Sequence, residues 1–159
     1  MNRRRCVTWL VTAASTALLL ALVGWVYVRT HQATWAADRA HDQALALWKS
    51  KEPTAYSFDY ASCDGFCAYC PIHVVVRRGM VSSARSGNPE CIRVDRAHAP
   101  TIEKTFEWAK SYRSEPGYGR VDILYDPIWG FPSSVNAYCE PTASDCGAGF
   151  DIKGFTVLK

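Results

Sequence analysis

The feature that most constrains this chain is a run of 22 residues, Val7–Val28, without a single charge. Only Thr8, Thr12, Ser15, Thr16 and Gly24 depart from apolar or aromatic character in it. Wound as a helix, such a run spans roughly 33 Å, enough for a hydrocarbon core of ~30 Å. Trp9 stands at one end, and Trp25 and Tyr27 stand at the other, where amphipathic rings favour the headgroup region. Arg3, Arg4 and Arg5 precede the run. The positive-inside rule therefore predicts a cytoplasmic tail over 1–6, a transmembrane anchor over 7–28, and export of the remainder. A cleaved signal peptide would have a shorter apolar region ending near a small-x-small site. The nearest such site here, Thr34-Trp35-Ala36, lies well past the run. The expectation is an uncleaved anchor, with the protein single-pass in a bacterial inner membrane and its C-terminal domain periplasmic or extracellular. The membrane is its first expected partner.

Charge placement excludes one large class of function. The chain has 18 basic and 15 acidic residues. Three of the basic ones are Arg3 to Arg5, so the chain beyond the run is balanced at 15 against 15. A neutral region with scattered arginines has no electrostatic footprint for nucleic acid.

Six cysteines follow the run: Cys63, Cys67, Cys70, Cys91, Cys139 and Cys146. An even number in an oxidising compartment predicts three disulfides. Cys139–Cys146 is the expected local bridge, across a Pro-containing loop, and the other four cysteines allow three connectivities. Two rival readings use the same sulfurs. Cys67-Ala68-Tyr69-Cys70 has the spacing of a thiol–disulfide exchange site, but Pro71 and the β-patterned Ile72–Val76 follow where an activating helix is needed. Cys63, Cys67, Cys70 and Cys91, or His73 with some of them, could ligate zinc. Neither displaces the structural reading, so no catalytic residue, metal ligand or cofactor is expected.

The pattern along the chain predicts the elements. Over 29–52 an amphipathic helix or stalk is expected, with Ala33, Ala36, Ala37, Ala40, Ala44, Leu47 and Trp48 on its apolar face and Pro53 beyond its end. Period-two alternation then predicts strands at Tyr56–Tyr60, Ile72–Arg77 and Met80–Ala84, the last two joined by a tight Arg78-Gly79 turn. Residues 86–100 read as loop. Thr101 caps a helix that runs to Ser114, ahead of Pro116-Gly117. Further strands are expected at Val121–Tyr125, Val135–Cys139 and around Phe155–Val157. The fold class is α+β: an antiparallel sheet of about five or six strands packed with one or two helices, preceded by the transmembrane helix, with residues 53–159 as the disulfide-bonded domain.

The remaining polar residues read as surface. Ser133-Ser134 lacks a nucleophile elbow, and Asp145 and Asp151 lack the ligand alternation of a calcium loop. His31, His41 and His98 share no ligand spacing, His73 reads as a solvent-face strand residue, and Glu103 with Glu107 reads as a solvated helix face. In Tyr125–Pro132, Asp126, Pro127 and Gly130 are turn chemistry. Trp129 and Phe131 are the candidate interaction surface if they project, although folding back on the sheet is the arrangement expected.

This last segment carries a resemblance. Trp48, then Tyr56, Phe58 and Tyr60, the cysteine-bearing stretch Cys63–Val76 with Gly79 and Val81, the Thr101-Ile102 start of a helix with Phe106, and Tyr125-Asp126-Pro127-x-x-Gly130-Phe131-Pro132 follow in the order of a bacterial family known as domain of unknown function 6174. The chain resembles it over Leu47–Leu158, with the hairpin as the most specific part. Cys139 and Cys146 are additions to that pattern. The resemblance implies an envelope location and no catalytic residues. The expected function is a non-enzymatic binding or assembly module with an envelope protein as partner, against a thiol enzyme, sensor or zinc site at the Cys67/Cys70 cluster.

Overall fold

The computed structural model describes the backbone of residues 3–64, 71–87, 99–140 and 147–159, with side chains from residue 18 onward in those stretches except 30, 33, 63 and 64. The elements are α1 (Arg3–Lys51), β1 (Ala55–Asp64), β2 (Ile72–Arg77), β3 (Met80–Ser86), α2 (Ile102–Ser114), β4 (Tyr118–Tyr125), β5 (Pro132–Cys139) and β6 (Gly147–Val157). The chain forms two units, 1–40 and 41–159.

The first unit is helical. Leu18, Leu19, Leu20, Leu22, Val23, Trp25, Val26, Tyr27 and Val28 are all exposed there. Their positions go all the way round the helix, unlike the single stripe of a helix that packs on a core. Tyr27 stacks on His31 with centroids 4.3 Å apart, and the Arg29 guanidinium lies 5.2 Å above the Trp25 ring. Among the described residues, no helix is long and apolar enough to cross a membrane. The expected span Val7–Val28 begins outside the residues whose side chains are described, and it is not recovered as a membrane helix among them.

The second unit starts at His41, ahead of the boundary expected at 53. It is an α+β domain built on one six-stranded sheet, order β3-β2-β1-β6-β5-β4, in which every neighbouring pair is antiparallel. Hairpins join β2 to β3 and β4 to β5, while α2 carries the chain from one edge of the sheet to the other. At the β2–β3 turn, Arg78 and Gly79 have φ of 52° and 72°, which matches the twist of a two-residue hairpin loop. Thr101 caps α2, its hydroxyl accepting the Lys104 N–H at 3.4 Å. β1 is longer than the alternation Tyr56–Tyr60 predicts, because pairing with β6 continues to Asp64↔Ala148. Likewise β6 begins at Gly147, well before Phe155.

Period two decides which side of the sheet is buried. Tyr56, Phe58 and Tyr60 of β1, Ile72, Val74 and Val76 of β2, Val135 of β5, and Phe150 and Ile152 of β6 lie on one face. Ala44 and Trp48 of α1 and Ile102, Phe106 and Ala109 of α2 pack on that same face. Trp48 is central, meeting Tyr56, Phe131 and Phe155 edge-on at 5.4–6.4 Å. Within the second unit, α2 and the C-terminal end of α1 lie on this side, and no described element of that unit covers the other face of the sheet.

Candidate functional site

The Tyr125–Pro132 hairpin settles where its aromatic residues go. Asp126 Oδ1 accepts the N–H groups of Ile128 and Trp129, at 2.9 and 2.7 Å. Gly130, at φ 85°, turns the chain back. Phe131 is thereby buried in the core, and Trp129 rests half-buried against Phe155 at 5.1 Å, with the Lys51 ammonium over its ring. Of the two expected arrangements, folding back is the one adopted. Phe131 offers no surface to a partner.

Two residues read as solvated from sequence are not. His41 is buried, its Nδ1 2.9 Å from the Tyr125 hydroxyl and its ring edge-on to Phe106. Glu103 departs from its i+4 neighbour. One of its carboxylate oxygens accepts the Trp48 indole N–H at 2.9 Å, and the other accepts the Tyr56 hydroxyl at 3.3 Å. The Tyr56 oxygen accepts the Ile102 N–H in turn. Burial, reinforced by the Glu103 charge, holds the Tyr56 hydroxyl protonated well above the usual tyrosine range, and burial pushes Tyr60 up to about 12. Glu107 is exposed as expected and pairs with Lys104. A cavity of about 340 Å³ between α1 and α2 is lined by His41, Trp48, Glu103 and Phe106, among others. Of its polar groups, His41, the Trp48 indole and Glu103 tie the two helices to the sheet and to each other. This makes it a structural seam.

On the other face of the sheet, charged side chains pair with one another at the surface and take no part in the core. The register aligns the residues of this face in rows. Arg85, His73, Asp59 and Lys153 run across β3, β2, β1 and β6, and His73 Nδ1 lies 2.7 Å from Asp59 with both side chains half-exposed. Ala61, Asp151, Ser134 and Leu124 form a second row across β1, β6, β5 and β4. Gly149, Asn136 and Asp122 form a third, and Gly147, Tyr138 and Arg120 a fourth. Between them lies a shallow depression of about 230 Å³, floored by Ala61, Gly147 and Gly149 and walled by Asn136, Tyr138 and Asp151. Glycine is required at 149, since a Cβ there would stand 2.2 Å from the Val135 carbonyl oxygen. Arg120 donates to both oxygens of Asp122, at 2.8 and 2.6 Å, and its guanidinium lies over the Tyr138 ring. That pairing holds Arg120 more firmly protonated than usual. His73 is where the sequence reading placed it, on the solvent side of a strand.

The expected cysteine cluster is mostly outside the described residues: Cys67, Cys70, Cys91 and Cys146 lie there, as does the side chain of Cys63. Backbone pairing sets Cys63 opposite Gly149, and Cys139 opposite Tyr118. Cys139 is disulfide-bonded. Among the described residues, no three His, Cys, Asp or Glu side chains converge as metal ligands.

The class so defined is a two-layer α+β domain with helices on one face of an antiparallel sheet. A family model for a family of unknown function, DUF6174, matches residues 40–157, and the chain belongs to that family. The match begins within one residue of the second unit. No curated protein and no solved structure matches the chain.

Proposed function

We propose that this chain is a membrane-anchored module of the bacterial envelope, without catalytic activity, whose folded unit binds another envelope protein through the open face of its sheet. The observation that carries the reading is the allocation of the two faces. One is closed by α1 and α2 around a packed core, while the other presents ordered rows of mixed charge, one exposed tyrosine and small residues. Such a face has both the flatness and the polarity of a non-obligate protein interface. Its alternating signs (Arg85, Asp59, Lys153; Arg120, Asp122) suit a partner of matched charge pattern rather than a polyanion.

Anchoring is supported by the uncharged run Val7–Val28 after the arginine triplet, and by the exposed apolar side chains from Leu18 to Val28, which water solvates poorly on every side of α1. Export is supported by the disulfide at Cys139. We assign Cys146 as its partner, since Tyr138 and Gly147, the last ladder pair between β5 and β6, are the sequence neighbours of the two cysteines. Cys63, Cys67, Cys70 and Cys91 would then pair among themselves.

Site-specific photocrosslinking in intact cells tests the binding face. A crosslinker at Asn136 or at Lys153 should give a discrete adduct with an envelope protein, while one at Lys110 on α2 should give none. Equal adducts from all three positions, or none from the sheet positions, would remove the open face as the binding surface.

A further inference from the structure

The sheet has two edges, and one of them is self-complementary. β4 is the outermost strand on its side, paired with β5 and, among the described residues, with nothing beyond. Its regular stretch is short, because the ladder is irregular between Tyr118 and Arg120 and again between Leu124 and Tyr125. Within that stretch the charged residues are Arg120 and Asp122, there is no proline, and Leu124 at its end is exposed. The free N–H and C=O groups of such an outer strand can pair with another strand whose charges match.

We propose that β4 pairs with β4 of a second copy, antiparallel about a two-fold axis perpendicular to the sheet at Val121. The register follows from charge. Antiparallel partners point to the same face, so self-pairing must centre on a residue. Centring on Arg120 sets arginine against arginine, and centring on Asp122 sets aspartate against aspartate. Centring on Ile123 leaves Asp122 opposite Leu124. Only the register centred on Val121 sets Arg120 of each copy opposite Asp122 of the other, twice, by symmetry. These side chains already lie on the open face within reach of one another in a single copy, so the pairing exchanges partners without moving either group into the core. A foreign peptide would need its own acid and base two residues apart; a second copy supplies them by symmetry. The result joins two open faces into one continuous surface. The inference concerns the edge of the sheet and does not depend on the binding partner proposed for its face.

The test uses the full chain in detergent micelles, with association followed by sedimentation equilibrium. The wild type should dimerise. Arg120→Asp and Asp122→Arg each set like charges opposite one another at two places, and each alone should weaken association by roughly tenfold or more. Mixed in equal amounts, the two variants should associate as tightly as the wild type, because every Asp then meets an Arg across the interface. Mixing cannot restore the ion pair within either chain, so recovery reports contact between copies alone. Native mass spectrometry of the mixture should find the heterodimer dominant. A monomeric wild type, single variants that dimerise undiminished, or a mixture no tighter than its components would each overturn the proposal.

Discussion

At the scale of single residues, the i, i+4 pair Glu103 and Glu107 shows how identical side chains on one helix take opposite roles. Glu107 is exposed and pairs with Lys104 on its own helix. Glu103 sits one turn nearer the cap, where both of its oxygens meet donors from α1 and β1, separated from it by 55 and 47 positions. Removing it strands a partly buried indole N–H and a tyrosine hydroxyl. Hydrogen bonds to a charged group contribute about 1.5–3 kcal/mol each at most, and leaving donors unmet adds to the loss. Glu103→Ala should therefore lower the unfolding free energy by roughly 2–3 kcal/mol, against less than about 0.5 kcal/mol for Glu107→Ala. Urea unfolding followed by tryptophan fluorescence, with unchanged slopes, measures both; equal losses would show that Glu103 does not tie the helices to the sheet. The sequence could not distinguish the two glutamates, because only chain positions far away in sequence separate them. His41 was illegible for the same reason. Its partner Tyr125 is 84 residues distant, and a histidine on a helix with polar neighbours gives no local sign of burial.

At the scale of elements, the strands were legible wherever alternation was clean. Tyr56–Tyr60 and Ile72–Val76 display the period that a one-sided sheet demands, and Arg78-Gly79 and Thr101 mark their turn and cap chemically. Beyond Tyr60 the signal fades, because the open face there is built from Ala61 and glycines instead of charged residues; small side chains alternate with nothing visible. The adjacency of β1 and β6, the central strands that join the two halves of the sheet, is a long-range fact with no local signature. Docking of the β4–β5 turn onto α1 was equally hidden, although its instrument was in view as Gly130. A Cβ at this position would lie 2.3 Å from the Ala44 carbonyl oxygen and 3.1 Å from the Trp48 nitrogen, and the φ of 85° is strained for any side chain. Gly130→Ala thus combines a left-handed penalty of about 1–2 kcal/mol with a clash against helical backbone that cannot yield. A loss of at least about 3 kcal/mol is expected from thermal or denaturant unfolding. Gly79→Ala is the control, since its Cβ meets nothing within 4 Å, and it should show the backbone penalty alone.

At the scale of the whole molecule, the sequence divides into a long apolar run and a domain, and physical chemistry asks what solvates the former. The midpoint of Val7–Val28 falls at Ala17 and Leu18, and Leu18 is exposed on α1. If the run crosses a bilayer, Leu18 sits near its centre, where replacing leucine by arginine costs about 3–4 kcal/mol of insertion free energy. If the run instead packs against protein or lies at a surface, a long arginine can snorkel to water at little cost. Leu18→Arg therefore separates the two cases. Membranes from cells producing the wild type should retain the protein through alkaline carbonate washing. The variant should shift largely to the soluble fraction or be degraded, whereas Arg29→Leu, outside the run, should stay as firmly bound as the wild type. Charge and hydrocarbon are incompatible only within the core of a bilayer, so release of the wild type by carbonate, or full retention of Leu18→Arg, would remove the anchor and the extracytoplasmic address that follows from it.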